Sequence, residues 1–160
     1  MSIPLDIFFW AMESAYVIHC LDEAFAGEGF VNMIKKHFWP DFNEKMFFWF
    51  NTMLHAVNAA SIILFETFGG PWVILPLSIS WLFVTNGFWH VLGAAKFKEY
   101  SPGLATSPLY WIVMYLIVRY SLMQGEILLL DFIVSTIIGT VITIIMIGSL
   151  FIRRHHKKQS

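Results

Sequence analysis

Apolar residues gather into five long blocks, at 5–24, 46–68, 71–95, 108–123 and 127–152, with polar and turn-forming residues between them. Runs of about 20 apolar residues are what an α-helix needs to cross the hydrocarbon core of a bilayer. The pattern predicts an all-α integral membrane bundle of five transmembrane helices, forming a single membrane domain over residues 1–160. Composition strengthens this reading. The chain is 58% hydrophobic and 18% aromatic with a mean hydropathy of +0.66, well outside the soluble globular range.

Charge then assigns a side to each connection. Lys35, Lys36 and Lys45 follow the first block, Lys96 and Lys98 the third, and Arg153, Arg154, Lys157 and Lys158 the fifth. Of the ten basic residues only Arg119 falls elsewhere, and the positive-inside rule makes the basic side cytoplasmic. The N-terminus is then expected outside and the C-terminus in the cytoplasm, with the protein multi-pass in the plasma membrane of a bacterium. The first block lacks a basic n-region and a small-residue cleavage site, so it is expected to stay in the mature protein.

Segment 28–45 mixes Lys35, Lys36, Asp41 and Glu44 with Phe38, Trp39 and Phe42, which predicts an interfacial segment against the inner leaflet, or a lid. The basic tail 153–160, with His155 and His156, reads as a topology anchor for anionic lipid rather than a nucleic-acid patch. Ser135, Gly139 and Thr143 place small residues every four positions, which favours close helix packing. Arg119 is expected to pair with Glu126 or Asp131.

The polar exceptions inside the blocks carry the candidate chemistry. His19 precedes Asp22 and Glu23, His55 lies between Asn51 and Asn58, and His90 follows Asn86. At about 100° per residue, each set occupies an arc of about 40–60° on its helix. The five-span orientation puts His19 and His90 roughly 7 Å, and His55 roughly 13 Å, from the cytoplasmic ends of their helices. Three imidazoles are thus expected to meet at one depth. Glu13 lies deeper, near the bilayer middle, where a carboxylate must be protonated, hydrogen-bonded, paired or metal-bound. Intramembrane polar groups are costly and mark sites, and so many at one depth exceed what interhelical hydrogen bonding needs. Cys20 is the sole cysteine, so any metal site is one of nitrogen and oxygen ligands.

The order H-x-x-D-E at 19–23, N-x3-H at 86–90 and Y-S-P-G-L-A-T at 100–106 resembles the HXXEE family of small integral membrane proteins. The resemblance runs from about Ala11 to Thr106 and implies a membrane enzyme with a metal-dependent site, without a defined activity. Its first acid is Asp22 here, one methylene shorter than Glu, which makes Glu23 the better candidate for bidentate metal binding.

Local chemistry gives the expectation its content. His19, Glu23, His55 and His90 are the candidate ligands for zinc or iron, and Glu13 or Asp22 the candidate base on a bound water. Asn51, Asn58 and Asn86 complete the candidate catalytic set, orienting ligands or substrate. The expected partners are membrane lipids and a hydrophobic small-molecule substrate entering sideways from the inner leaflet. Two alternatives use the same residues. One is a metal-free acid–base lipid isomerase, with Glu13 and Glu23 as acid and base and Trp10, Trp81 or Trp89 against a carbocation. The other is a small proton- or cation-handling protein.

Overall fold

The computed structural model describes residues 4–157, with side chains described to residue 154. Among the described residues all regular structure is helical: α1 (Leu5–Phe25), α2 (Phe30–His37), α3 (Glu44–Phe68), α4 (Ile74–Phe97), α5 (Ser107–Gln124) and α6 (Leu129–Lys157). A 3-10 turn, Gly70–Val73, leads into α4.

Local chemistry sets the helix ends. The Asn43 side chain accepts from the Met46 backbone N–H at 3.0 Å and starts α3, with Glu44 in the first turn where the helix dipole favours an acid. Pro108 occupies the first turn of α5, where no N–H is needed, and Gly125 ends that helix in the left-handed conformation. At the start of α6, Asp131 accepts from the Leu128 N–H at 3.0 Å. That carboxylate is therefore engaged locally, and Arg119 donates to the Tyr115 hydroxyl at 3.3 Å in place of the expected ion pair.

Three helical stretches are long and apolar enough to cross a membrane: Glu44–Phe68, Gly70–Phe97 and Leu129–Arg154. With 21 and 18 residues, α1 and α5 have the length of a span. They are less apolar, because α1 carries Asp6, Glu13, Asp22 and Glu23 and α5 carries Arg119. Outward faces are rich in large apolar side chains, among them Phe48, Met53 and Ile63 on α3 and Ile137, Ile144 and Ile145 on α6. Such a surface suits acyl chains better than water.

The central helix is α4, which packs against α1, α3, α5 and α6, while α1 closes against α3 and α5. Phe9, Met12 and Tyr16 of α1, Leu77 and Phe83 of α4, and Tyr110 and Ile117 of α5 fill the core between them. The small-residue seam of α6 faces α4 as its spacing predicts. Ser135 donates to the Ile74 carbonyl at 3.3 Å, and the Thr85 and Thr143 hydroxyls are 2.6 Å apart. At Gly139 a Cβ would lie only 2.8 Å from Trp81 Cβ and 2.9 Å from the Leu82 nitrogen.

Segment 28–45 folds back over one end of the bundle. Met33, Ile34, Phe38 and Phe42 are buried there, packed with Trp89, Phe97, Ile147 and Leu150. Polar ties reinforce the apolar contact: Lys36 donates to Glu99 at 2.5 Å, His37 also bonds Glu99, and Arg153 lies 3.8 Å above the Trp39 ring. The hydrogen bonds from Lys36 first, and then from His37, hold the Glu99 carboxyl below the usual carboxylate range. His155, His156, Lys157 and Lys158 of the expected basic anchor lie outside the described side chains.

Candidate metal centre

One turn of α1 places His19 and Glu23 on the same face, and α4 brings His90 to meet them. The two Nε2 atoms are 3.2 Å apart, and Glu23 Oε1 lies 3.6 Å from that of His19 and 3.4 Å from that of His90. Both histidines are fully buried and Glu23 is 5% exposed. These three residues form the group of potential metal ligands found among the described residues.

Hydrogen bonding fixes what the nitrogens present. The Thr106 hydroxyl donates to Asp22 Oδ2 at 3.0 Å, so toward His19 Nδ1, also at 3.0 Å, it offers a lone pair. With the hydroxyl so engaged, the tautomer that completes the network carries its proton on Nδ1 and leaves a lone pair on Nε2. His90 repeats the arrangement, with Nδ1 3.1 Å from Ser101 Oγ, whose hydroxyl can donate to the Met33 sulfur at 3.6 Å. Two imidazole lone pairs and a carboxylate oxygen thus face one space. A cation at its centre, metal ion or proton, satisfies all three. The Asn86 amide stands over the same space, its Nδ2 3.3 Å from each Nε2.

The connection between α4 and α5 closes the cluster from one side. Asp22 holds it down, accepting from the Tyr100 hydroxyl at 2.9 Å and from the Thr106 backbone N–H at 3.2 Å. So anchored, Gly103 lies directly against the imidazoles: a Cβ there would sit 2.7 Å from Cε1 of both His19 and His90. Its φ of +97° independently favours glycine. Both Asp22 oxygens are used in this tether, so the residue builds the site rather than facing the triangle. From the far side the Tyr110 ring lies 4.8 Å from that of His19.

His55 stands apart from this group. Its Nδ1 bonds Glu13 Oε1 at 2.6 Å, Asn58 donates to Glu13 Oε2 at 2.6 Å, and its Nε2 faces the Cys20 sulfur at 3.9 Å. Asn51 belongs to the same neighbourhood, accepting from the Tyr16 hydroxyl at 2.5 Å and from Cys20 at 3.3 Å. The expected convergence of three imidazoles therefore resolves into two adjacent units. One is the His19–Glu23–His90 triangle with Asn86. The other is a Glu13–His55–Asn58 acid–base unit, because the α1 face toward α3 carries Glu13 and Cys20 while the face toward α4 carries His19 and Glu23. Glu13 thus has a carboxylate's hydrogen-bond partners supplied on both oxygens, as its depth requires.

A cavity of about 330 Å³ opens beside the triangle. Glu23, Asn86, Tyr16 and Asn51 form its polar end, and its walls include Phe30, Phe47, Phe83 and Trp89. The residues whose importance exceeded their sequence signal are Ser101 and Thr106, which select the imidazole tautomers. They lie within the Y-S-P-G-L-A-T segment, where a serine and a threonine among turn residues carry no mark of that role.

A helical bundle with apolar outer faces and a buried two-histidine, one-carboxylate cluster defines the class of protein in coarse terms. A family described as "Protein of unknown function with HXXEE motif" matches residues 10–118, and the chain belongs to that family. His19, Asp22, Glu23 and His90 all fall inside the matched region. No curated protein and no solved structure matches the chain.

Proposed function

We propose that this protein is an integral membrane, metal-dependent enzyme acting on a lipid or other hydrophobic substrate, with its site near the cytoplasmic leaflet. In this reading α1, α3, α4, α5 and α6 all cross the membrane, with the N-terminus outside. The observation that carries the proposal is the triangle with edges of 3.2, 3.4 and 3.6 Å. Ligand bonds of ~2.0–2.2 Å at tetrahedral angles separate donor atoms by ~3.3–3.6 Å, which fits a zinc site with three protein ligands and one open position. Octahedral bonds of that length separate them by ~2.8–3.1 Å, which favours zinc over six-coordinate iron. His19, His90 and Glu23 would hold the ion, and zinc so bound supplies an acidified water and a Lewis acid for a carbonyl.

The chain's own groups have defined parts. Thr106 and Ser101 keep the imidazoles oriented, as partners behind metal-binding histidines do. Asn86 offers its amide to a substrate oxygen at the cavity's polar end. Glu13 and His55 provide a second acid–base pair beside it. Elemental analysis of protein purified without chelator tests the reading. About one zinc per chain is expected, lost in His19→Ala, His90→Ala and Glu23→Ala and kept in His55→Ala. Folded wild-type protein without stoichiometric metal would leave the second reading, a metal-free isomerase in which the same three groups share a proton. The adjacent Glu13–His55 pair favours that as the alternative.

A further inference from the structure

The cavity beside the triangle also constrains what can reach it. Its lining combines α3 (Phe47, Phe50), α4 (Phe83, Trp89) and α6 (Met146, Leu150). Yet α3 packs on α1 and α4 while α6 docks along α4, so the two outer helices leave a cleft between them floored by α4. Segment 28–45 closes one end of that cleft with Phe30, Ile34, Trp39 and Phe42. The way in is therefore lateral, past Phe50 and Met146, which are 59% and 50% exposed on the apolar outer face.

Charge narrows the ligand further. No Lys or Arg lines the cavity, and Glu23 is its one ionisable carboxyl. A phosphate-bearing head group would find no Lys or Arg among the lining residues to pair with, leaving only an ion held by the triangle to offset its charge. This lining favours a small, uncharged head against Asn86 and Glu23. A volume of about 330 Å³ lies at the low end of ligand cavities, room for one chain rather than the paired chains of a membrane phospholipid.

Resting on the enzyme reading above, we infer that the substrate is a neutral, single-chain amphiphile with a terminal oxygen function, entering from the membrane between α3 and α6. The oxygen meets the Asn86 amide and the triangle, and the chain lies along the aromatic walls toward the cleft.

Photolabelling tests this in the full-length protein reconstituted into bilayers, using hexadecanol carrying a mid-chain diazirine. Adducts are expected on cavity residues such as Phe47, Phe50, Met146 and Leu150. Unlabelled hexadecanol should compete and lysophosphatidylglycerol should not. Met146→Trp, which fills the opening from an exposed position, should lower cavity labelling by at least about tenfold, the scale of a lost apolar fit. Ile145→Trp, on the outer face of the same helix, should leave it unchanged. Adducts spread evenly over Ile144, Ile145 and their lipid-facing neighbours, or equal competition by the lysophospholipid, would overturn the inference. Labelling is read without turnover, so cavity adducts in a protein that binds no metal would reject the metal reading and leave this one standing.

Discussion

At the residue scale, the site depends on a small number of contacts that tolerate no addition. Gly103 combines a positive φ with a position against both imidazoles. Gly103→Ala should cost about 1–3 kcal/mol in backbone strain and, more tellingly, spread His19 and His90 apart. Zinc affinity measured by competition with a chromophoric chelator is expected to fall by about 10- to 100-fold, the scale of lost support behind a metal ligand. Retention of full affinity would show that the connection between α4 and α5 does not press on the rings. His55 gives the opposite expectation. Glu13 occupies it, with Asn58 on the other carboxylate oxygen, so His55→Ala should destabilise the fold by leaving a half-buried carboxylate short of a partner, about 1–3 kcal/mol, without changing metal stoichiometry.

At the element scale, two packing decisions position everything else. The first is the α4–α6 seam, where Gly139 leaves no room for a side chain beside Ser78, Trp81 and Leu82. Gly139→Leu should separate the helices at a cost of about 1–3 kcal/mol or more. Loss of α6 docking would be read as a lowered thermal midpoint in detergent together with new accessibility of a reporter placed at Thr85. The second is the tether from Asp22 to Tyr100 and Thr106. Asp22→Ala removes three accepted hydrogen bonds at once, and faster hydrogen exchange confined to residues 98–106 is the expected signature. Exchange that stays at the wild-type rate would mean that the apolar contacts alone hold this connection.

For the whole molecule, the fold places its site between elements, and segment 28–45 covers one end of the cavity beside it. Glu99 couples that cover to the connection bearing Gly103, through Lys36 and His37. Because Glu99 is held below its ordinary range in the folded protein, its contribution is complete above that range and is lost as pH falls through the lowered value. Lys36 is raised by the same pairing, so its contribution persists to high pH and is lost only above the ordinary lysine range. Protection of residues 30–42 in hydrogen exchange should decline as acid protonates Glu99, and Glu99→Gln should remove that acid step. An unchanged profile in the variant would place the coupling elsewhere.

Much of this was legible in the chain before any coordinates. The apolar blocks foretold the five long helices, because burying an unpaired backbone away from water leaves few alternatives to a helix. The four-residue spacing of Ser135, Gly139 and Thr143 foretold the seam, since that period keeps small side chains on one face. Within α1, the interval from His19 to Glu23 was enough to put an imidazole and a carboxylate together. What one helix presents is a matter of periodicity, and periodicity is a property of sequence. Which helix each face meets is not. The turning of α1 between α3 and α4 decided that His90 joins His19 while His55 joins Glu13, and only the folded connection revealed Gly103 against the rings and Asp22 as its anchor. These are contacts between residues 42 to 84 positions apart, and no local pattern encodes such pairings. They follow from how whole helical faces fit against one another.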